Sequence, residues 1–249
     1  MKICAILVAA GKGERMSSQI PKSFIMINNH PLIYYPLKIL SESMSIDYII
    51  LVVPQDDIAY TQREIVEKYR FIKVTEVIPG GEQRQDSVYN GLRKVLPETE
   101  LVLIHDGARP FITQRLIDET IAEARQTGGA IPGVTPVDTI KSINGGEWIE
   151  ETWDRDSLVM IQTPQVFKYD LIRDAYEKAY QDNFYATDDA LLIRRLGGKV
   201  KWVKGDYENI KITVPYDLLV AKAILKDRKI RGNKGIRPVQ SPQRHGGTE

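Results

Sequence analysis

The stretch Ile3-Cys4-Ala5-Ile6-Leu7-Val8-Ala9-Ala10-Gly11-Lys12-Gly13-Glu14-Arg15-Met16, closing on Pro21-Lys22, decides how the chain is read. An apolar run long enough for one buried strand stops at two glycines flanked by cations, so a strand runs into a turn. Having no Cβ, Gly11 and Gly13 admit left-handed backbone and close approach of a ligand, and several N–H groups can then face one anion. Lys12, Arg15 and Lys22 supply countercharge. Two better-known phosphate loops do not fit: the dinucleotide fingerprint needs a third Gly where Met16 stands, and the P-loop needs Gly-Lys-Ser/Thr after four spacer residues. On glycine spacing alone, an ordinary strand-to-helix turn with solvated charges is the competing reading.

Outward from this turn the pattern alternates. Pro31 to Ser43 carries a helical stripe at Leu32, Ile33, Leu37 and Leu40, Tyr48 to Val53 is a β-rich run, Ile58 to Tyr69 is helical, and Lys73 to Ile78 is a strand before Pro79-Gly80-Gly81. Gln85 to Val95 is helical, and Leu101 to Ile104 is a short apolar strand ending in His105-Asp106-Gly107-Ala108-Arg109-Pro110. Such alternation predicts βαβ units around a parallel sheet. Ligands in open α/β sheets bind beyond the carboxyl ends of strands, so the loops at 9–22, 79–87 and 105–110 are expected to converge on one crevice.

Ile112 to Thr127 reads as a further helix, capped by Thr113 and ended by Gly128-Gly129. From Ala130 to Gln165 the rhythm breaks. Thr139 to Ile143 and Trp148 to Trp153, either side of Asn144-Gly145-Gly146, read as a hairpin. A hairpin inserted in an α/β core has one face to bury, which makes it a candidate for packing on another chain. Lys168 to Gln181 and a segment from Thr187 to Leu196 are helical, Val200 to Lys204 is a last strand, and a helix starts near Pro215 and runs to about Asp227. The expected organisation is one domain over 1–230 with an arm at about 137–164, followed by a disordered tail at 231–249.

The 249 residues are 43% hydrophobic and can bury a full core. The formal charge of +1 hides an asymmetry, since from Lys226 onward there are seven Lys/Arg and two Asp/Glu, leaving 27 basic against 31 acidic residues in the body. A mildly acidic body argues against a nucleic-acid surface and frees its cations to act as local anion ligands. With Cys4 the only cysteine, no internal disulfide can form and a cytoplasmic setting is expected. No apolar segment approaches the ~20 residues that span a bilayer.

Several residues could carry chemistry. Arg15 and Lys22 suit charge that shifts between phosphate oxygens in a transition state, against the alternative of a solvated Lys. Asp106 ends a buried strand, where a carboxylate is costly unless it meets a cation or turns the chain, and magnesium held by one carboxylate plus substrate phosphates is the natural use. Arg109, fixed by Pro110, could grip a phosphate by two hydrogen bonds or serve as an ordinary ion-pair partner. Lys211 is the third candidate cation, or an edge charge. Thr187-Asp188-Asp189 reads as a helix cap with acidic residues on the positive end of the dipole. The three histidines lack partners at zinc-ligand spacing, and no Ser or Cys stands in a nucleophile elbow.

Taken together, Ala9-Ala10-Gly11-x-Gly13-x-Arg15-Met16 with Pro21-Lys22, Gly80-Gly81-Glu82-x-Arg84-x-Asp86-Ser87-Val88, His105-Asp106-Gly107-Ala108-Arg109-Pro110, Asp138-Thr139-Ile140-Lys141, Gln162-Thr163-Pro164-Gln165 and Asn209-Ile210-Lys211 resemble the motifs of 2-C-methyl-D-erythritol 4-phosphate cytidylyltransferases, in the same order, over residues 1 to about 226. The resemblance implies a Rossmann-like, mostly parallel sheet flanked by helices, with an inserted β-hairpin arm for dimerisation. It implies a magnesium-dependent reaction of CTP with a polyol phosphate in a homodimer with composite sites.

By motif, Ala9, Ala10, Gly11 and Gly13 would wrap the triphosphate, and Arg15, Lys22 and Lys211 would be catalytic. Gly81, Glu82 and Ser87 would contact cytosine and ribose, with Asp106 the metal carboxylate and Glu208 a helper. Arg109 and Thr139 would face the acceptor, while Arg155 and Thr163 would reach from the arm into a neighbouring subunit's site. The chain departs from the family pattern where Pro136-Val137 runs directly into Asp138, and at Val159, where Trp is common. A ribitol 5-phosphate cytidylyltransferase and a non-catalytic nucleotide-binding regulatory protein are the competing readings. Gly107-Ala108-Arg109, Lys141 and the Arg155 to Leu158 spacing favour the erythritol family.

Overall fold

A computed structural model describes residues 1–11, 13 and 21–234 of the chain. The run that opens the sequence becomes β1 (Lys2–Val8), and its alternating side chains enter two different cores. A small hairpin follows, β2 (Met26–Ile27) with β3 (His30–Pro31), and then α1 (Tyr34–Glu42), β4 (Tyr48–Val53) and α2 (Ile58–Thr61), which continues as a π-wound turn, Gln62–Glu67. β5 (Val74–Pro79), α3 (Arg84–Leu92), β6 (Thr99–Asp106) and α4 (Gln114–Thr127) complete the first half. Thr113 caps α4 by accepting from the Leu116 N–H, and Gly128, at φ 92°, ends it in the left-handed conformation that glycine alone adopts cheaply.

The second half contains β7 (Gly129–Val134), the hairpin β8 (Ile140–Asn144) with β9 (Trp148–Trp153), β10 (Met160–Ile161), β11 (Gln165–Lys168), α5 (Tyr169–Gln181), α6 (Asp189–Arg195), β12 (Lys201–Lys204) and α7 (Pro215–Lys234). The main sheet runs β10-β7-β11-β6-β1-β4-β5, with β12 on the other side of β7. β1, β4, β5 and β6 pair in parallel, β12 is parallel to β7, and β10 and β11 run antiparallel to their neighbours. Ile3, Ala5, Leu7, Leu101 and Leu103 pack under α4 and the α1 side, whereas Cys4, Ile6, Val102 and Ile104 pack under α3, α5 and α6. Period-two alternation thus feeds both faces of one sheet, and apolar burial at about 25 cal/mol per Å² is its main source of stability.

From β1 the chain moves outward through β4 to β5, then returns to the opposite side of β1 as β6. The strand order therefore reverses between β1 and β6, whose ends Val8 and Asp106 lie side by side. A crevice opens at such a switch point.

Three expectations need correction. The segment from Ala130 to Gln165 is not irregular at its start, because β7 is fully buried within the sheet. Gly129, Pro132 and Gly133 conceal it, as all three weaken a strand signal. Pro132 is tolerated because its carbonyl accepts from the Gln162 N–H, so its missing N–H falls on the same side, at the break between β10 and β11. Asp188, rather than Thr187, caps α6 by accepting from the Leu191 N–H. Asp189 does not face solvent at a helix end but is buried. Finally, α7 extends to Lys234, past the predicted end near Asp227, and Arg231 pairs with Asp227 at 2.7 Å and with Glu208. The remaining tail, from 235 on, lies outside the described residues.

Candidate active site

The three loops meet. A Cβ on Gly80 would lie 2.2 Å from the Ala10 methyl, and one on Gly107 would lie 2.9 Å from that of Ala9, so the strand ends interlock through missing side chains. The Ala9 N–H donates to the Val52 carbonyl at 2.7 Å, the Ser23 hydroxyl donates to the Ala9 carbonyl at 2.8 Å, and the Gly107 N–H donates to the Val8 carbonyl at 2.8 Å. Gly13, at φ 69°, passes against Lys22, which opens a short 3₁₀ turn, Lys22–Phe24. Arg15 lies outside the described residues.

At the second loop, the Ser87 hydroxyl accepts from the Gly81 N–H and donates to the Gln83 carbonyl, each at 3.1 Å. Ser87 therefore shapes the loop, and exposed Gly81 and Glu82 form its outer rim. Asp86 braces it from behind: its carboxylate accepts from the Gln83 N–H at 2.9 Å and from the hydroxyls of Tyr180 and Tyr185 at 2.5 and 3.0 Å.

The floor is a charge cluster. Asp106, 6% exposed, accepts from Arg84 Nε on Oδ1 at 3.0 Å, while its Oδ2 lies 2.7 Å from Lys211 Nζ and 3.9 Å from Arg109 Nε. Burial alone would raise its pKa, but Arg84, Lys211 and Arg109 outweigh it and hold the carboxyl well below the usual carboxylate range. Arg84 also forks onto buried Asp189, Nη1 to Oδ1 at 3.1 Å and Nη2 to Oδ2 at 2.8 Å. Arg109 Nη1 donates to the Asn209 carbonyl at 2.8 Å and Nη2 to the Ile161 carbonyl at 3.3 Å. A cavity of about 350 Å³ opens over these groups, lined also by Thr163, Gln165 and Thr187.

His105 lies beneath the floor, wholly buried. Thr163 Oγ1 accepts from the Asp106 N–H at 3.1 Å and is 2.9 Å from His105 Nδ1, while His105 Nε2 is 3.0 Å from the Arg109 carbonyl. Burial pushes the His105 pKa down to about 4, so the ring is neutral at pH 7. A neutral ring that donates from Nε2 must accept at Nδ1, from the Thr163 hydroxyl.

The structure brings Asp106, Arg109, Lys211 and Thr163 together at the strand ends, beside the loops that hold Gly81, Glu82, Ser87 and Lys22. Two sequence readings change. Thr163 does not project from an arm toward another subunit; it is buried in its own chain against His105 and Asp106, because the strand pair β10 and β11 returns the chain to the main sheet. Glu208 does not help Asp106, since Arg228 at 2.9 Å and Arg231 take its carboxylate toward α7. Thr139 is exposed at the base of the hairpin, and Arg155 Nη1 donates to the Val137 carbonyl at 3.0 Å; neither lines the cavity.

Asp106, read as the metal carboxylate, has a cationic partner on each oxygen, and among the described residues no group of three His, Cys, Asp or Glu could hold a metal ion. These donors do not make a resident magnesium site. Sequence reasoning passes over Arg84 and Asp189, which are 105 residues apart and visible as a pair only once α3 and α6 are docked. The one signal is the place of Arg84 in the Gly80 to Val88 motif.

Among the described residues, no helix is long and apolar enough to cross a membrane. The sequence model of the 2-C-methyl-D-erythritol 4-phosphate cytidylyltransferases matches residues 3–227. A 2-C-methyl-D-erythritol 4-phosphate cytidylyltransferase of Clostridium perfringens (strain SM101 / Type A) is 45% identical over 225 residues, 90% of this chain and 99% of that protein. The crystal structure of the 4-diphosphocytidyl-2C-methyl-D-erythritol synthase of Anaerococcus prevotii DSM 20548 superposes with a TM-score of 0.80 at 36% identity, covering 90% of this chain and 96% of that one. That of the 2-C-methyl-D-erythritol 4-phosphate cytidylyltransferase of Thermus thermophilus gives 0.73 at 28% identity, covering 89% and 98%. An interlocked switch-point crevice, a cationic floor and a match over nearly the whole body lead to one conclusion: the chain belongs to the 2-C-methyl-D-erythritol 4-phosphate cytidylyltransferase family.

Proposed function

We propose that the chain joins CTP and 2-C-methyl-D-erythritol 4-phosphate to give 4-diphosphocytidyl-2-C-methyl-D-erythritol and pyrophosphate, in the non-mevalonate route to isoprenoid precursors. The observation that carries this reading is the meeting of the three loops over the floor, where Arg84, Arg109 and Lys211 gather on Asp106, with Asp189 buried behind Arg84 and Asp188 also lining the cavity.

An oxygen of the acceptor's phosphate attacks the α-phosphorus of CTP. The bond from that phosphorus to the αβ-bridging oxygen breaks, and pyrophosphate leaves with the electron pair. No general base is required, because a phosphate monoester is largely a dianion near neutral pH. Catalysis consists of positioning and of stabilising charge as it shifts. Backbone N–H groups of Ala10, Gly11 and Gly13 surround the triphosphate, Ala9 anchors the loop through its N–H on the Val52 carbonyl, and Arg15 and Lys22 take the charge at the α-phosphate and leaving group. Gly81 and Glu82 face the cytosine, on a loop that Ser87 holds in shape. Arg109 and Lys211 grip the acceptor's phosphate, and Thr163 fixes the Asp106 end of the floor.

Magnesium carried on the nucleotide's phosphates would neutralise part of their charge. The chain acts as a cytoplasmic homodimer in which Thr139 and Arg155 of each hairpin complete the acceptor end of the other crevice. Support comes from the hairpin itself, whose Trp148, Ile149 and Ile143 are 75%, 65% and 62% exposed.

Pyrophosphate release, measured with CTP and magnesium while each polyol phosphate is offered in turn, tests the reaction. Turnover is expected with 2-C-methyl-D-erythritol 4-phosphate. Turnover only with ribitol 5-phosphate, or CTP binding without turnover, would contradict it.

A further inference from the structure

Asp106 sits among three cations, Arg84, Lys211 and Arg109, all of which line the cavity, and the function proposed above assigns the phosphate to Lys211 and Arg109. A carboxylate with both oxygens free to turn toward Lys211 and Arg109 would compete with that phosphate. Arg84 prevents this by its geometry. Its Nε holds Oδ1 of Asp106 at 3.0 Å, leaving only Oδ2 to face Lys211 and Arg109. Arg84, which itself lines the cavity, is held in place because its Nη1 and Nη2 are both engaged by Asp189, whose side chain is 1% exposed. Asp189 is fixed from its far side by the Tyr176 hydroxyl, which donates to Oδ1 at 2.5 Å. The row Tyr176, Asp189, Arg84, Asp106 thereby ties α5, α6 and α3 to the end of β6.

We infer that Arg84, anchored by Asp189 and Tyr176, is a positioning residue that fixes the orientation of Asp106 so that Lys211 and Arg109 stay available to substrate phosphate. All three donor nitrogens of Arg84 have carboxylate partners, which hold its guanidinium in one place. A lysine could not replace it, since one ammonium cannot reach Oδ1 of Asp106 and both oxygens of Asp189 in a planar fork.

The inference rests on reading the crevice as the site of cytidylyl transfer. Wild-type pyrophosphate release tests that reading independently, so a failure of one is not a failure of the other. Three variants test the row: Arg84→Ala, Arg84→Lys and Tyr176→Phe. Arg84→Ala is expected to lower kcat on the order of a hundredfold, the scale of a small misplacement of catalytic groups, while the CTP dissociation constant from calorimetry changes little. Added guanidinium chloride should restore several-fold activity to Arg84→Ala, where sodium chloride at equal ionic strength does not. Arg84→Lys should fall between Arg84→Ala and wild type. Tyr176→Phe, which removes one hydroxyl and keeps the ring, should lower kcat a few-fold with unchanged affinity for CTP. Full activity of folded Arg84→Ala or Arg84→Lys would overturn the inference. So would a loss in these variants that tracks the melting temperature and is not rescued by guanidinium. If Arg84→Ala does not fold, Arg84→Lys and Tyr176→Phe decide, and normal kcat in both contradicts the role.

Discussion

The floor of the crevice and the hairpin arm are built on opposite terms. On the floor every charged side chain meets a partner within the same chain, and Asp106 and Asp189 are buried. In the arm, β8 and β9 form a two-stranded sheet of their own, and all six residues of β9 are exposed. Paired buried charges are costly to disturb one at a time, whereas an isolated hairpin gains little from its own contacts. The floor is therefore finished by one chain, whereas the arm leaves a face that the proposed homodimer would cover. Each half of the contrast can be tested separately.

Lys22→Ala should have the largest effect. Removing one charge-stabilising donor costs on the order of a hundredfold to a thousandfold in kcat, with folding intact. Near-normal turnover would remove Lys22 from the mechanism.

Acid sensitivity should belong to the floor. The folded-state pKa of His105 is held near 4, against 6.5 for the free side chain. Between these values the unfolded chain binds a proton that the folded chain refuses, so stability falls as pH drops from about 6.5 to about 4 and this contribution is flat outside that window. The full amount is about 3 kcal/mol, from 1.36 kcal/mol per pKa unit. His105→Gln keeps a donor for the Arg109 carbonyl and should flatten the dependence, as followed by urea unfolding at several pH values. An unchanged slope would mean that His105 is charged or hydrated in the folded state. The depressed Asp106 carboxyl contributes in a lower window: its share is complete above about pH 4 and declines only below it.

The arm should respond in the reverse sense. Trp148→Glu with Ile149→Glu should shift the protein from dimer to monomer in sedimentation and lower activity roughly tenfold. The thermal midpoint should fall only by what dimerisation contributes and should lose its dependence on protein concentration. A lower midpoint with unchanged mass would place those side chains in the core instead.

The same contrast governs what can be read from the sequence. β4 is legible to the residue, because six apolar residues bounded by Pro54 have no other economical use. The hairpin is legible through Asn144-Gly145-Gly146, and α4 through Thr113 and Gly128, since turns and caps are local chemistry. β7 is not, because Gly129, Pro132 and Gly133 speak against a strand unless the break between β10 and β11 is already known. Asp106, Arg109 and Lys211 stand out as separate candidates. Their common counter-ion network does not, as the tie from Arg84 to Asp189 spans 105 residues and leaves no periodic trace. The family resemblance puts Thr163 with the arm, although the return of β10 and β11 to the sheet buries it beside Asp106.

The measurement that bears most directly on a floor made by one chain and an acceptor end made by two is subunit complementation. Lys22→Ala and Arg155→Ala chains, each nearly inactive alone, are mixed, dissociated and allowed to reassociate. Half of the resulting dimers should be hybrids with one intact site of two, so activity should recover to about a quarter of wild type, as two-fold symmetry requires. Activity that stays at the level of the separate variants, while hybrid dimers are seen to form, would contradict the account.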